Sequence, residues 1–145
     1  MAPDVILIHG AEYGPGSEHA LILGGANPAK LPGTDIALSI RLYVRISEHA
    51  DGRSSWKAIA ISYFHTVFDG SDREIIAYHW HPDWRSPITT PRLHLGAGAN
   101  VGREELRKAH VPTGFIELED VLLLAIREFG ARPRRDDWAM ILDRA

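Results

Sequence analysis

The chain has 145 residues, 45% of them hydrophobic and 24% charged, with no cysteine and a formal charge of −3. That length and composition suit one folded domain with a real core, and exclude disulfides, thiolate catalysis and cysteine-ligated zinc. The negative balance argues against a protein that coats nucleic acid through bulk positive charge, while leaving room for a local basic face.

Residues 1–34 read as an irregular N-terminal segment with short strands. Val5-Ile6-Leu7-Ile8 and Ala20-Leu21-Ile22-Leu23 are short apolar runs set among Gly10, Gly14, Gly16, Gly24, Gly25, Gly33, Pro15, Pro28 and Pro32, which are turn signals. None of these glycines stands in a phosphate-loop or dinucleotide fingerprint. Met1-Ala2-Pro3-Asp4 lacks the basic region of a secretory signal, and no run of about 18 apolar residues occurs. A cytoplasmic protein with no membrane partner is therefore expected.

From Asp35 the pattern sharpens, and residues 35–145 read as a single α+β domain. Ile36, Leu38, Ile40, Leu42, Val44 and Ile46 alternate with Ala37, Ser39, Arg41, Tyr43, Arg45 and Ser47, the period of a half-buried strand. A turn at His49-Ala50-Asp51-Gly52 leads to a strand over Trp56–Phe68. Asp69-Gly70-Ser71-Asp72 turns the chain into a third strand, Arg73–His81, and Pro91–Leu95 supplies a fourth. Short connections without helices predict an antiparallel meander of about four strands. Helices follow: a short one within Gly102–His110, a longer one on which Leu118, Val121, Leu122, Ala125, Ile126 and Phe129 keep a helical period to the stop at Gly130, and a last one capped by Asp136. Strands followed by helices predict C-terminal helices packed on one face of the sheet.

Histidine marks the other face. His79 and His81 flank Trp80 and point the same way from an extended strand, while His94 sits between two leucines on the next one. If Gly70-Ser71 closes a tight hairpin, His79 falls opposite Ser62 and His81 opposite Ala60, leaving a shallow groove. Arg41, Tyr43 and Arg45 share the polar side of the first strand. Two imidazoles beside a phosphodiester can act as general base and general acid without a metal or other cofactor. The candidate catalytic set is His79, His81, His94 and Arg45. Arg41, Tyr43, Trp84 and Arg92 are the candidate substrate-binding groups, through phosphate contact and base stacking. A second reading makes His79, His81 and His94 three imidazole ligands of zinc, with Asp83 assisting. A third makes the chain a non-enzymatic interaction module. His65 reads as a packed core histidine, and His110, just before Val111-Pro112, as the end of a helix.

The residues His79-Trp80-His81-Pro82, Pro91-Arg92-Leu93-His94 and Leu118-Glu119-Asp120-Val121-Leu122 carry a resemblance. From about Leu42 to Ile126 the layout resembles the TumE-like group of toxin–antitoxin proteins. The resemblance implies a small intracellular nuclease-type toxin acting on RNA and neutralised by an antitoxin, with His79, His81 and His94 at the active-site positions. The N-terminal extension, the helix after Gly130 and the missing His-His pair depart from that pattern. The expectation is thus a small RNA-binding protein acting as a metal-independent endoribonuclease, with RNA, an antitoxin or a second copy of itself as partners.

Overall fold

The computed structural model describes residues 7–9, 14, 16–48, 56–82 and 87–143. The alternating stretches become strands: β1 (Leu7–His9), β2 (Glu18–Leu23), β3 (Ala29–Lys30), β4 (Ala37–Glu48), β5 (Trp56–Phe68), β6 (Glu74–Trp80), β7 (Arg92–Leu95) and β8 (Val111–Pro112). The helices are α1 (Glu104–Lys108), α2 (Leu118–Arg127) and α3 (Trp138–Leu142), with a 3-10 turn at Ala97–Ala99. Among the described residues all strands form one sheet in the order β1-β2-β4-β5-β6-β7-β8, with β3 pairing β4 off that path. Every pairing is antiparallel.

The α+β architecture therefore stands, but the sheet has eight strands where about four were expected. The difference comes from both ends of the sheet. β1 and β2 overlap the short strands expected in the first third but join the main sheet, and β3 pairs there as well. β8 is two residues long and ends in Pro112, too short to show any period.

The core explains which way each face points. Leu38 and Ile40 of β4, Val67 of β5, and Val121 and Ala125 of α2 lie in one buried cluster, with Leu122 and Ile126 packed against it. Burying each large aliphatic contributes roughly 1.5–3 kcal/mol, so α2 and its side of the sheet stabilise each other. Tyr63 fixes where the chain arrives at that helix: its hydroxyl accepts the Ile116 backbone N–H at 3.1 Å. Asp120 then accepts the Glu117 N–H at 2.8 Å and satisfies one of the orphan donors at the helix start. Gly130, at φ 72°, stops α2 in the left-handed conformation that glycine adopts most easily. By contrast α1 and α3 bury no residue. The cap of α3 falls at Asp137 rather than Asp136, and its carboxylate is taken by Arg135 at 2.8 and 2.9 Å.

The β5–β6 register differs from the tight-hairpin expectation by two residues. Tyr63 pairs with Trp80, Phe64 with His79 and His65 with Tyr78. Asp69 is the cause. Its carboxylate accepts the N–H groups of Ser71 and Arg73 at 2.9 and 3.0 Å, which widens the turn, and a bulge between Val67 and Phe68 adds a further residue. An even shift keeps each side chain on its expected face but changes its neighbour. Phe64, not Ser62, stands opposite His79.

No helix among the described residues is long and apolar enough to cross a membrane.

Candidate functional site

Following the register across the sheet builds the histidine face row by row. Arg41 on β4 pairs with Phe64 on β5, Phe64 with His79 on β6, and His79 with Arg92 on β7. The next row runs Ser39, Thr66, Ala77, His94. Paired residues share a face in an antiparallel sheet, so Arg41, Phe64, His79, Arg92 and His94 all lie opposite the α2 core. Trp80 points to the other side, where its indole N–H donates to the Thr89 carbonyl at 3.1 Å and ties down the connection that returns to β7.

The chain then folds back over this face. After β7, Gly96 passes so close to β6 that a methyl group there would collide with the Glu74 carbonyl. Only glycine permits that crossing. The return through α1 brings His110 against His94, one residue before Val111 pairs with Leu93.

The result is a compact group of imidazoles. The His79 and His94 ring centroids are 4.8 Å apart, and those of His94 and His110 are 4.4 Å apart. Phe64 supports the group from one side, with its ring 5.1 Å from His79 and stacked on His81 at 5.3 Å. The Arg92 guanidinium approaches the His81 Nε2 at 2.6 Å. Since guanidinium can only donate, His81 Nε2 accepts in that contact and the His81 proton resides on Nδ1.

Electrostatics follow from the same neighbours. The His79 ring is pushed down to about 4, chiefly by burial and then by the positive charge available on His94, Arg92, His81 and His110. His94 is lowered too, by burial first and then by His110 and Arg92. Among the described residues, the charged neighbours that act on the two rings are all basic. Burial and neighbouring positive charge both favour the neutral form of the two rings.

Of the residues singled out from sequence, His79, His81, His94 and Arg92 are brought together. Arg41 lies in the His79 row, exposed at the β4 side, and Tyr43 follows it two residues on, opposite Ser62. Arg45 stands apart. Four residues beyond Arg41, about 13 Å along the strand, it forms an ion pair with Glu18 at 2.7 Å. Trp84 and Asp83 lie outside the described residues. His110 is the member that sequence reasoning passed over. Its signal was a spacing across β8, which is too short to announce itself.

Zinc ligation gains no support from the donors. Among the described residues no three His, Asp or Glu side chains are grouped to hold a metal ion. A guanidinium beside the imidazoles also opposes a cation, and among the described residues no carboxylate bonds to a ligating ring. A cavity of about 520 Å³ lies on the other face, lined by Leu21, Leu42, Val44, Ile46, Trp56 and Ala58 with His19 at its margin. It lacks the convergent polar groups of a reaction site.

The chain matches no family model, no curated protein and no solved structure.

Proposed function

We propose that the imidazole face binds RNA and cleaves it without a metal ion, by transfer of the phosphoryl bond to the neighbouring ribose 2′-hydroxyl. What supports the reading is the ring-to-ring contact of His79, His94 and His110 beside Arg92, with basic groups alone acting on the central rings. Neutral His94 takes the 2′-hydroxyl proton, and the 2′-oxygen bonds to phosphorus. The bond from phosphorus to O5′ breaks, its electron pair stays on O5′, and His110 supplies the proton. The products carry a 2′,3′-cyclic phosphate and a 5′-hydroxyl. His79, the most deeply placed ring, holds His94 in position. Arg41 meets the adjoining phosphate, and Tyr43 offers a ring on which an unpaired base stacks.

The test is incubation of the pure protein with end-labelled RNA in EDTA. Cleavage to 2′,3′-cyclic ends is expected. It should stop when the ribose at the cut is 2′-deoxy, and fall in the His94→Ala and His110→Ala proteins. Intact RNA, or cleavage unchanged in both variants, overturns the reading.

A further inference from the structure

Five exposed arginines contrast with one buried one. Arg45, Arg73, Arg107, Arg127 and Arg135 are 42–69% exposed, and each has a carboxylate within 3.4 Å. Arg92 is the reverse, only 7% exposed and without a carboxylate partner among the described residues. One of its terminal nitrogens donates to the Ile88 carbonyl at 3.2 Å and the other to His81 Nε2 at 2.6 Å. Its Nε is buried and bonds to nothing. Both partners accept without negative charge, so among the described residues nothing compensates the positive charge itself. A surface arginine needs no counter-charge, because water supplies the compensation. A buried one costs several kcal/mol unless an anion meets it. Among the described residues, then, carboxylates stand at exposed arginines, where they matter little, and none stands at buried Arg92.

We infer that Arg92 is the anchor of an oxyanion site that receives a phosphate group of the nucleic acid, filling the place a carboxylate would otherwise take. Arginine has five N–H donors in a fixed plane and uses two of them here. The free Nε–H belongs to the edge that matches two oxygens of one phosphate. His79, His81 and His94 surround the guanidinium and add no negative charge to compete. His81 serves as the resting acceptor for Arg92, which makes it a positioning residue rather than the proton-transfer base. The inference rests on the RNA reading for its choice of anion, yet binding is separable from cleavage.

The experiment uses the whole chain and inorganic phosphate as probe, with chloride at matched ionic strength as control. Two quantities are read: the thermal midpoint, and the Arg92 Nε–H resonance in protein labelled with nitrogen-15. Phosphate should raise the midpoint by mass action and shift the resonance saturably, and a short RNA should displace it. In Arg92→Met both responses should vanish, while its midpoint without phosphate stays at or above that of the parent, since an unpaired buried charge has been removed. Arg92→Lys keeps the charge but loses the planar fork, and phosphate should bind it about tenfold more weakly. A phosphate response equal to the chloride response, or a collapse of Arg92→Met in phosphate-free buffer, overturns the inference. Phosphate binding that RNA fails to displace overturns the choice of nucleic acid. His94→Ala with His110→Ala should lose cleavage and keep the phosphate response. Cleavage without a phosphate response removes Arg92 as anchor and spares the RNA reading, whereas a response without cleavage in the parent does the opposite.

Discussion

His65 and His79 sit on neighbouring strands and face opposite sides of the sheet. Both rings are pushed down to about 4, with burial the leading cause in each. Their surroundings differ. His65 is 0% exposed, stacked 4.9 Å from Tyr63, with both ring nitrogens bonded to nothing. His79 touches Phe64 and His94, and its remaining perturbation comes from other basic groups. Burial alone makes a histidine neutral. What separates a core ring from a reactive one is the company of groups that gain or lose protons with it.

The largest effect should come from breaking the reactive side. Removing either imidazole of the His94–His110 pair should lower RNA cleavage by about 10²–10⁴-fold, read as initial rates on the same labelled RNA with folding checked by circular dichroism. The pH profile sharpens this. Burial and neighbouring positive charge lower the proton affinity of His94, so the acid limb of the cleavage profile should begin below the pH at which an ordinary imidazole protonates. A steep fall beginning at or above neutral pH would remove His94 as the base.

On the core side the effect is on stability. His65 ionises at 6.5 as a free group and at about 4 in the folded chain. Between those values the unfolded chain holds the proton and the folded one does not, so acid favours unfolding. Above about pH 6.5 the ring carries no ionisation penalty; as the pH drops toward 4 the folded state loses up to about 3 kcal/mol relative to the unfolded one. Substituting His65→Phe keeps the ring stacked on Tyr63 and removes two buried unpaired nitrogens, a change expected to be neutral or stabilising at pH 7. Denaturant midpoints at pH 7 and pH 4.5 should draw closer together in the variant. Equal acid losses in both proteins would show that His65 is not the source.

Gly96 connects the two regions through backbone alone. A Gly96→Ala methyl group meets the Glu74 carbonyl, so the crossing must shift at a cost of about 1–3 kcal/mol. Because the chain after Gly96 leads to His110, cleavage should fall further than stability. A variant that loses stability but cleaves normally would show that the crossing does not position His110.

The long strands were legible because each carries a sustained alternation, as in Ile36–Ile46, and α2 because its apolar period runs unbroken from Leu118 to Phe129. The shared face of His79 and His81 followed from counting by two. The neighbours across strands did not, because register depends on how many residues a turn consumes. Asp69 and the bulge beside Phe68 changed that count by two, and so replaced the small residue opposite His79 with Phe64. The apolar runs at Val5–Ile8 and Ala20–Leu23 announced two short N-terminal strands, but the glycines around them hid that these join the main sheet. His110 was hidden because its place depends on a return path set by Gly96 and closed by a two-residue strand. Periodicity reports which side a residue takes; distance along the chain says little about what meets it there.

The smallest effect belongs to Arg45, and it tests where the site ends. Its guanidinium pairs with Glu18, and both side chains are more than half exposed. Exposed pairs of this kind contribute under about 1 kcal/mol, and salt weakens them further. Arg45 also stands about 13 Å along β4 from Arg41, beyond reach of a phosphate held at His94. Arg45→Ala should therefore lower the thermal midpoint only slightly, by an amount that shrinks in high salt, and should leave the cleavage rate unchanged. Arg41→Ala, on the row that crosses Phe64 and His79, should weaken RNA binding while leaving the thermal midpoint unchanged. If Arg45 proved the more damaging of the two, the proposed RNA face would have to extend to the β2 side of the sheet, where Arg45 pairs with Glu18.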